Sequence, residues 1–287
     1  MIGCIIQARM GSTRLPGKVL KNVEENKPVL YFVLKQLQES KMIEKIVIAT
    51  TILKEDSKIV DYANDLGVEC FRGSSENVLE RHYECAKKFL MSTIVRIPSD
   101  KPLIDPTIVD KTIKFFNEKP SDYVTNFFSE PAYPSGSEVE VFSMSGLEKM
   151  WKNAKLPSEK EHVTDYFINH TNDFKIFHIA NSEDLTSMRW AVDRTEDLEL
   201  VKKIVSKIKT RPILMKDIVN LFKNEPELIT MNKNVSRNEG ELKSLEKDAD
   251  FNDKFNEPFN LLKKDIKKCT FTKIYNDINF DDVGVKA

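Results

Sequence analysis

The apolar positions of this chain fall in short runs separated by amphipathic segments of helix length. Ile2–Ile6 is a continuous apolar run of the kind a fully buried parallel strand shows. It breaks at once into a polar loop that holds Gly11, Ser12 and Gly17 with the cations Arg9, Arg14 and Lys18. The spacing then predicts a helix over Val29–Leu37, a buried strand over Lys45–Thr50, a helix over Asp56–Leu66 closed by Gly67, and a strand over Val68–Arg72. A turn begins at Gly73, with Ser75 placed to N-cap a helix running to about Leu90, and Thr93–Pro98 reads as a fourth strand. Strands alternating with helices predict βαβ units: an α/β fold with a mostly parallel central sheet, covered on both faces and joined by right-handed crossovers. Ligands of such sheets bind beyond the carboxyl ends of the strands, so the loop after the first strand and the segment after Pro98 are expected to meet there.

Farther on the alternation loosens. Asp105 is placed to cap a helix that begins at Pro106. Asp122–Phe128 reads as a strand, residues 129–136 as a loop with two prolines and a glycine, and Glu138–Phe142 as a half-buried strand with Glu138 and Glu140 on a solvated face. A helix is predicted over Ser158–Asn169, strands over Phe174–Ile179 and Met188–Asp193, and helices over Thr195–Ile208 and Met215–Phe222. Beyond Asn224 the character changes. Lys233–Lys254 is mostly charged and polar, a composition that cannot readily offset its ordering entropy. Phe259–Phe280 recovers some apolar residues, with a strand expected within Thr270–Tyr275. The chain therefore divides into a unit over 1–222, a charged linker over 223–255 and a small C-terminal appendage over 256–287.

Composition narrows the function classes. A net charge of −1 over 287 residues argues against a nucleic-acid protein that binds through bulk positive charge. Any phosphate recognition is then local. No run approaches the roughly 18 apolar residues of a membrane span, so a cytoplasmic protein with no membrane partner is expected. The four cysteines, Cys4, Cys70, Cys85 and Cys269, form no CxxC pair and have no short spacing to histidine, which points to free, buried thiols.

The opening loop carries the chemistry. Glycines let backbone approach a ligand closely, and fixed cations with free N–H groups suit the oxygens of a phosphate chain. Val19 after Lys18 excludes a Walker A loop, and no GxGxxG is present. The pattern RxxSxRLPGK, here Arg9, Ser12, Arg14, Leu15, Pro16, Gly17 and Lys18, resembles the signature of the sugar-activating cytidylyltransferases. With Gln7 and Ala8 before it, the stretch looks most like the branch related to spore-coat polysaccharide biosynthesis, whose relatives activate sialic-type acids and 3-deoxy-manno-octulosonate. Further stretches resemble the same family. Ser99–Ile104 is similar to GDxPLI, Tyr133–Phe142 to YPxGxDVEVF, Glu161–Thr164 to a recurring EHVT, and Arg189–Val201 to RWTVDTPEDLELV; the resemblance covers about residues 1–222.

The resemblance implies a single Rossmann-like domain of the nucleotide-diphospho-sugar transferase type, and CMP transfer from CTP to a sugar or sugar acid with release of pyrophosphate. Arg14 and Lys18 would hold the triphosphate, with Gln7, Ala8, Arg9, Gly11 and Ser12 completing the cradle and Arg72 and Ser74 lying near the base. Asp100 and Asp193, each closing a predicted strand, would hold Mg²⁺. Tyr133, Gly136, Glu138, Glu140 and His162 would line the sugar side, where Lys160 or Arg189 could meet an acceptor carboxylate. A homodimer is also implied, because a corresponding region in the sialate relatives closes the partner's sugar site. Three departures stand out: Ser99 for glycine, Arg194 for threonine, and Lys101 beside Asp100. An ammonium at 101 could weaken cation binding or contact phosphate, and the residues leave both open. Two further readings also stay open: a nucleotidyltransferase of this fold using another nucleoside triphosphate and a sugar phosphate, and a catalytically weak nucleotide- or sugar-binding scaffold.

Overall fold

The computed structural model describes residues 1–127, 133–235, 244, 246–249 and 272–274. Ten strands are present among them: β1 (Ile2–Gln7), β2 (Asn22–Glu24), β3 (Lys27–Pro28), β4 (Lys45–Thr51), β5 (Glu69–Gly73), β6 (Thr93–Pro98), β7 (Tyr123–Thr125), β8 (Glu140–Ser143), β9 (Ile176–Ile179) and β10 (Thr272–Ile274). The α-helices are α1 (Val29–Leu37), α2 (Ser57–Asp65), α3 (Val78–Lys88), α4 (Pro106–Glu118), α5 (Met144–Asn153), α6 (Pro157–His162), α7 (Asp165–Asn169), α8 (Thr195–Lys207) and α9 (Met215–Asn224). Eight strands form one sheet in the order β10-β9-β7-β8-β6-β1-β4-β5, while β2 and β3 make a separate small hairpin. Every neighbouring pair in the large sheet is parallel except the two made by β8. No helix among the described residues is long and apolar enough to cross a membrane.

The alternation of a strand divides its side chains between two cores. Cys4 and Ile6, Ile48, and Val95 and Ile97 face a core closed by α1, α2, α4, α8 and α9. Ile5, Val47 and Ala49, and Ile94 face the other, closed by α3, α5 and α7. Burial on both faces explains why these strands read as short, mostly apolar runs. The first strand lies at the centre of the βαβ region, paired with β4 on one side and β6 on the other. Its carboxyl end and that of β6 are therefore neighbours, with Gln7 opposite Pro98. That pairing brings the two predicted loops together.

The structure departs from the sequence pattern in four places. The helix after β5 is capped by Asn77, whose side chain accepts from the Glu80 N–H at 2.9 Å, and not by Ser75. Ser74 accepts the Asn77 N–H, so the chain spends two more residues in the turn. The single helix predicted over Ser158–Asn169 is two short helices broken at Val163, a buried β-branched residue at φ 63°. Met188–Asp193 forms no strand of the sheet, and a single isolated parallel bridge pairs Arg189 with Ser135. Its N–H groups go to loops, with Trp190 donating to the Ser135 carbonyl at 2.8 Å and Val192 to that of Asp100 at 2.7 Å. Finally, packing continues past residue 222: α9 runs to Asn224, and a 3₁₀ turn over Pro226–Asn232 lies against α8 with Leu228 and Asn232 buried. The strand expected within 270–275 is present as β10, parallel to β9. Cys4 and Cys85 are buried free thiols, Cys70 is half-buried and free, and Cys269 lies outside the described residues.

The reassigned cap is testable. Asn77→Ala removes an N-cap bond and is expected to lower unfolding stability by about 1 kcal/mol, whereas Ser75→Ala stays within about 0.5 kcal/mol of wild type. Urea unfolding of the two variants checks this, and the reverse ranking would return the cap to Ser75.

Candidate active site

The loop after β1 is held in shape by its own backbone and one buried carboxylate. The Met10 carbonyl accepts from Ser12 and Gly17 at 2.9 and 3.0 Å. Its N–H donates to Asp56 Oδ1 at 2.6 Å, and the fully buried Asp56 also takes the Thr51 hydroxyl. Leu15 and Val19 are buried anchors, while Gly17 turns the chain at φ 66°, a conformation glycine adopts without strain. Each next to one of those anchors in the chain, Arg14 and Lys18 are aimed back over the strand ends.

There they meet the two aspartates. Lys18 Nζ lies 2.8 Å from Asp100 Oδ2 and 2.9 Å from Asp193 Oδ1, and Arg14 donates to the same Asp193 oxygen at 2.7 Å. Asp100 lies just past β6, after Ser99, whereas Asp193 arrives on the segment whose Val192 N–H is bonded to the Asp100 carbonyl. Gly136 lets that segment approach. At φ 107°, a side chain there would meet the Ala191 nitrogen at 2.7 Å and the Trp190 backbone at 3.0 Å. Burial opposes the charge on Asp193, but Lys18, Arg14 and Arg189 outweigh it and hold the carboxyl at about 2, below its ordinary 3.8. Burial likewise works against the Lys18 ammonium, and the two aspartates overcome it and raise its pKa.

Two carboxylates that converge on one cation fit a divalent metal. The donors are hard oxygens, and the Lys18 ammonium already marks the point where positive charge is stable. No cluster of three or more metal-binding side chains exists among the described residues, so a cation here would depend on further oxygens from ligand or water.

Other expected residues play different parts. Arg72 donates to the carbonyls of Thr51, Ile52 and Leu53, and Ser74 receives Asn77 on its hydroxyl and Arg81 on its carbonyl, so both hold the turn beside the loop. Gln7 accepts from Arg96 at 3.0 Å. Arg9 is half-exposed and reaches Glu161 at 3.8 Å. Ala8 is buried, with its N–H on the Ala49 carbonyl, and Gly11 lies in the loop 3.4 Å, measured from an added Cβ, from Glu55.

The solvated face expected for Glu138 and Glu140 is overturned: both are buried. Glu140 pairs with Arg96 and accepts from Tyr123 at 2.7 Å and from Thr164. Burial pushes its pKa up, but Arg96, Thr164, Lys101 and Tyr123 hold it below the ordinary value. Glu138 accepts the Gly136 N–H at 2.8 Å and pairs with Lys101 at 3.2 Å. Lys101 also donates to the Glu138 carbonyl at 2.8 Å, so its ammonium is turned to the sheet's polar wall and away from Asp100. Tyr133 is buried, and His162 sits 2.8 Å from Ser244 Oγ. Burial, with Arg96 adding to it, lowers the His162 pKa and favours the neutral ring. Arg189 is fully engaged by Asp193, Asp197 and Ser135, which removes it as a partner for an acceptor carboxylate.

Sequence reading assigns Arg96 and Asn232 no role, and places Thr164 and Asp197 only within the family-like stretches Glu161–Thr164 and Arg189–Val201. Arg96 had a signal, since a charge inside the apolar run TIVRIP requires a buried partner. Asn232 had none.

Strand-end loops that bring two cations and two carboxylates to one edge of an open, mostly parallel sheet define an α/β nucleotidyltransferase domain. Residues 3–244 match the cytidylyltransferase family, and the chain belongs to it. It is 32% identical to the spore coat polysaccharide biosynthesis protein SpsF of Bacillus subtilis, over 72% of this chain and 88% of that one. It is 27% identical to the 3-deoxy-manno-octulosonate cytidylyltransferase of Thermodesulfovibrio yellowstonii, over 62% of this chain and 72% of that one. A cytidylyltransferase structure from Leptospira borgpetersenii superposes with a TM-score of 0.76 at 35% identity, covering 79% of this chain and 96% of that one.

The charge cluster predicts a pH dependence. Asp193 binds its proton more weakly when folded than when unfolded, so between pH 4 and 2 the unfolded chain holds more protons and stability rises with pH. The contribution, on the order of 2 kcal/mol, is complete above about pH 5 and lost as pH falls through 2. Urea midpoints measured from pH 6 to pH 2.5 are expected to fall more steeply in wild type than in Asp193→Asn; parallel curves would contradict the assignment.

Proposed function

We propose that this chain transfers CMP from CTP to a hydroxyl of a sugar acid of the nonulosonic type, or of a related sugar, with release of pyrophosphate and dependence on Mg²⁺. The observation that carries the reading is the meeting of Arg14, Lys18, Asp100 and Asp193 at the adjoining ends of β1 and β6 in a member of the cytidylyltransferase family. The names of its relatives, one in spore coat polysaccharide biosynthesis and one acting on 3-deoxy-manno-octulosonate, support an acceptor destined for a surface glycan.

The reaction is an in-line displacement. The acceptor oxygen attacks the α-phosphorus, and the bond from that phosphorus to the bridging oxygen breaks. Such chemistry rests on positioning and on neutralising charge as it grows on the phosphate oxygens. Arg14 presents a planar fork to the triphosphate, and Lys18 supplies a compact charge to the departing pyrophosphate. Asp100 and Asp193 would hold Mg²⁺, which when bound polarises the α-phosphoryl group and aligns it with the attacking hydroxyl. The buried wall of Glu138, Glu140 and Lys101 borders the acceptor side, and the neutral His162 offers it a hydrogen bond and no charge.

Pyrophosphate release from CTP and Mg²⁺, measured against nonulosonic acids and sugar phosphates with UTP and GTP in parallel, tests the reading. Release is expected with CTP and one acid, falling about 10²- to 10³-fold in Lys18→Met, Asp100→Asn and Asp193→Asn. Turnover of UTP or GTP with a sugar phosphate would replace CTP in the proposal. Absence of both turnover and Mg²⁺-dependent CTP binding would remove it.

A further inference from the structure

A carboxylate that serves as a cation ligand must present one oxygen at a fixed place, and a free aspartate side chain does not. Asp193 is not free. Its Oδ2 accepts from Arg189 Nη2 at 2.6 Å, which leaves Oδ1 toward the cleft, where Arg14 and Lys18 meet it. Arg189 is itself pinned at its other two nitrogens, by Asp197 Oδ1 at 3.0 Å and Ser135 Oγ at 3.1 Å.

Asp197 closes the arrangement from below. It is wholly buried, and its Oδ2 accepts the backbone N–H groups of Asp193 and Arg194 at 2.9 and 3.0 Å. Side chain and main chain of Asp193 are thus fixed from the same carboxylate. The remaining Asp197 oxygen accepts from Asn232 Nδ2 at 2.7 Å, and that amide also donates to the Arg189 carbonyl at 3.2 Å. Asn232 ends the 3₁₀ turn that packs on α8 and has no contact with Arg14, Lys18 or Asp100 among its hydrogen bonds.

We propose that Arg189, Asp197 and Asn232 are positioning residues for the cation held by Asp193: they fix which oxygen faces the cleft and where. This rests on the reading that Asp193 is a metal carboxylate. The charges favour such a role. Arg189 and Asp197 neutralise each other, so the brace adds no net positive charge beside a divalent ion. Were phosphate to draw Arg14 and Lys18 away, Asp100, Asp193 and Asp197 would together outweigh Arg189 by two negative charges, and Arg189 would stay on Asp193 because Asp197 holds it. Through Asn232, the turn over Pro226–Asn232 then takes part in positioning Asp193. Partners of this kind typically alter metal affinity by about 10- to 100-fold.

Mn²⁺ is the probe. Free Mn²⁺ is measured by electron paramagnetic resonance during titration of the full-length chain with CTP present, and CTP binding without metal is measured separately. Arg189→Lys and Asp197→Asn are expected to weaken Mn²⁺ binding by about 10- to 100-fold while metal-free CTP binding stays within about twofold of wild type, a split that general loosening of the fold would not give. Asn232→Ala removes only the outermost bonds and is expected to weaken Mn²⁺ by about threefold or more; it decides the matter if either buried variant fails to fold. Wild-type Mn²⁺ affinity in the folded variants, with affinity lost in Asp193→Asn, would overturn the brace alone. Wild-type affinity in Asp193→Asn as well would overturn the metal reading and the brace with it.

Discussion

Asp100 and Asp193 repel each other, and the molecule holds them together around one ammonium. Two carboxylates at a shared point cannot both stay ionised without a cation. Lys18 supplies it at 2.8 and 2.9 Å, and Arg14 adds a second. Much of the architecture serves that convergence. Parallel pairing of β1 with β6 places the Lys18 loop beside Asp100. Asp56 and the Met10 carbonyl fix the loop's curve, and a backbone bond from Val192 to Asp100 brings in the segment that carries Asp193.

The same economy of charge runs through the wall beside the cleft. Arg96 with Glu140, and Lys101 with Glu138, are buried pairs. Removing one partner of such a pair costs about 3–5 kcal/mol, yet replacing the whole pair with apolar groups is often neutral or stabilising. Stability alone therefore gives no reason for these ions. Their value lies in a rigid polar surface facing the proposed acceptor, with Thr164 and Tyr123 orienting Glu140 and the Val163 kink setting Thr164 and His162 beside it.

What could be read from the sequence follows from how local each signal is. Strands β1, β4 and β6 are buried on both faces, and their short apolar runs, interrupted in β6 only by Arg96, give them away. Asp105 before Pro106 marks a helix start through two neighbouring residues, and the structure has it there. The cap at Asn77 was legible too, since Asn77 with Glu80 three residues later is a start signal; the earlier serines competed for it. The polarity of Glu138–Phe142 misled, because strict alternation of charged and apolar residues looks the same whether the charged face meets water or buried cations. Met188–Asp193 has the composition of a strand, but its hydrogen bonds are spent on the loops at 100 and 135, and no local pattern reports that. The reach of Asn232 to Asp197 is wholly tertiary, which is why residues 226–232 read as linker and yet pack on α8.

Asp100 and Asp193 would hold the proposed metal when nucleotide binds, with Lys18 passing from the two aspartates to the phosphates. A crystal structure of the full-length protein with CTP and Mn²⁺, located by its anomalous scattering, tests this most directly. Lys18 Nζ is expected on phosphate oxygens and the metal peak beside Asp100 and Asp193, with Arg189 unmoved on Asp193 Oδ2. Bound CTP with Lys18 still bridging the two aspartates and the metal elsewhere would contradict it.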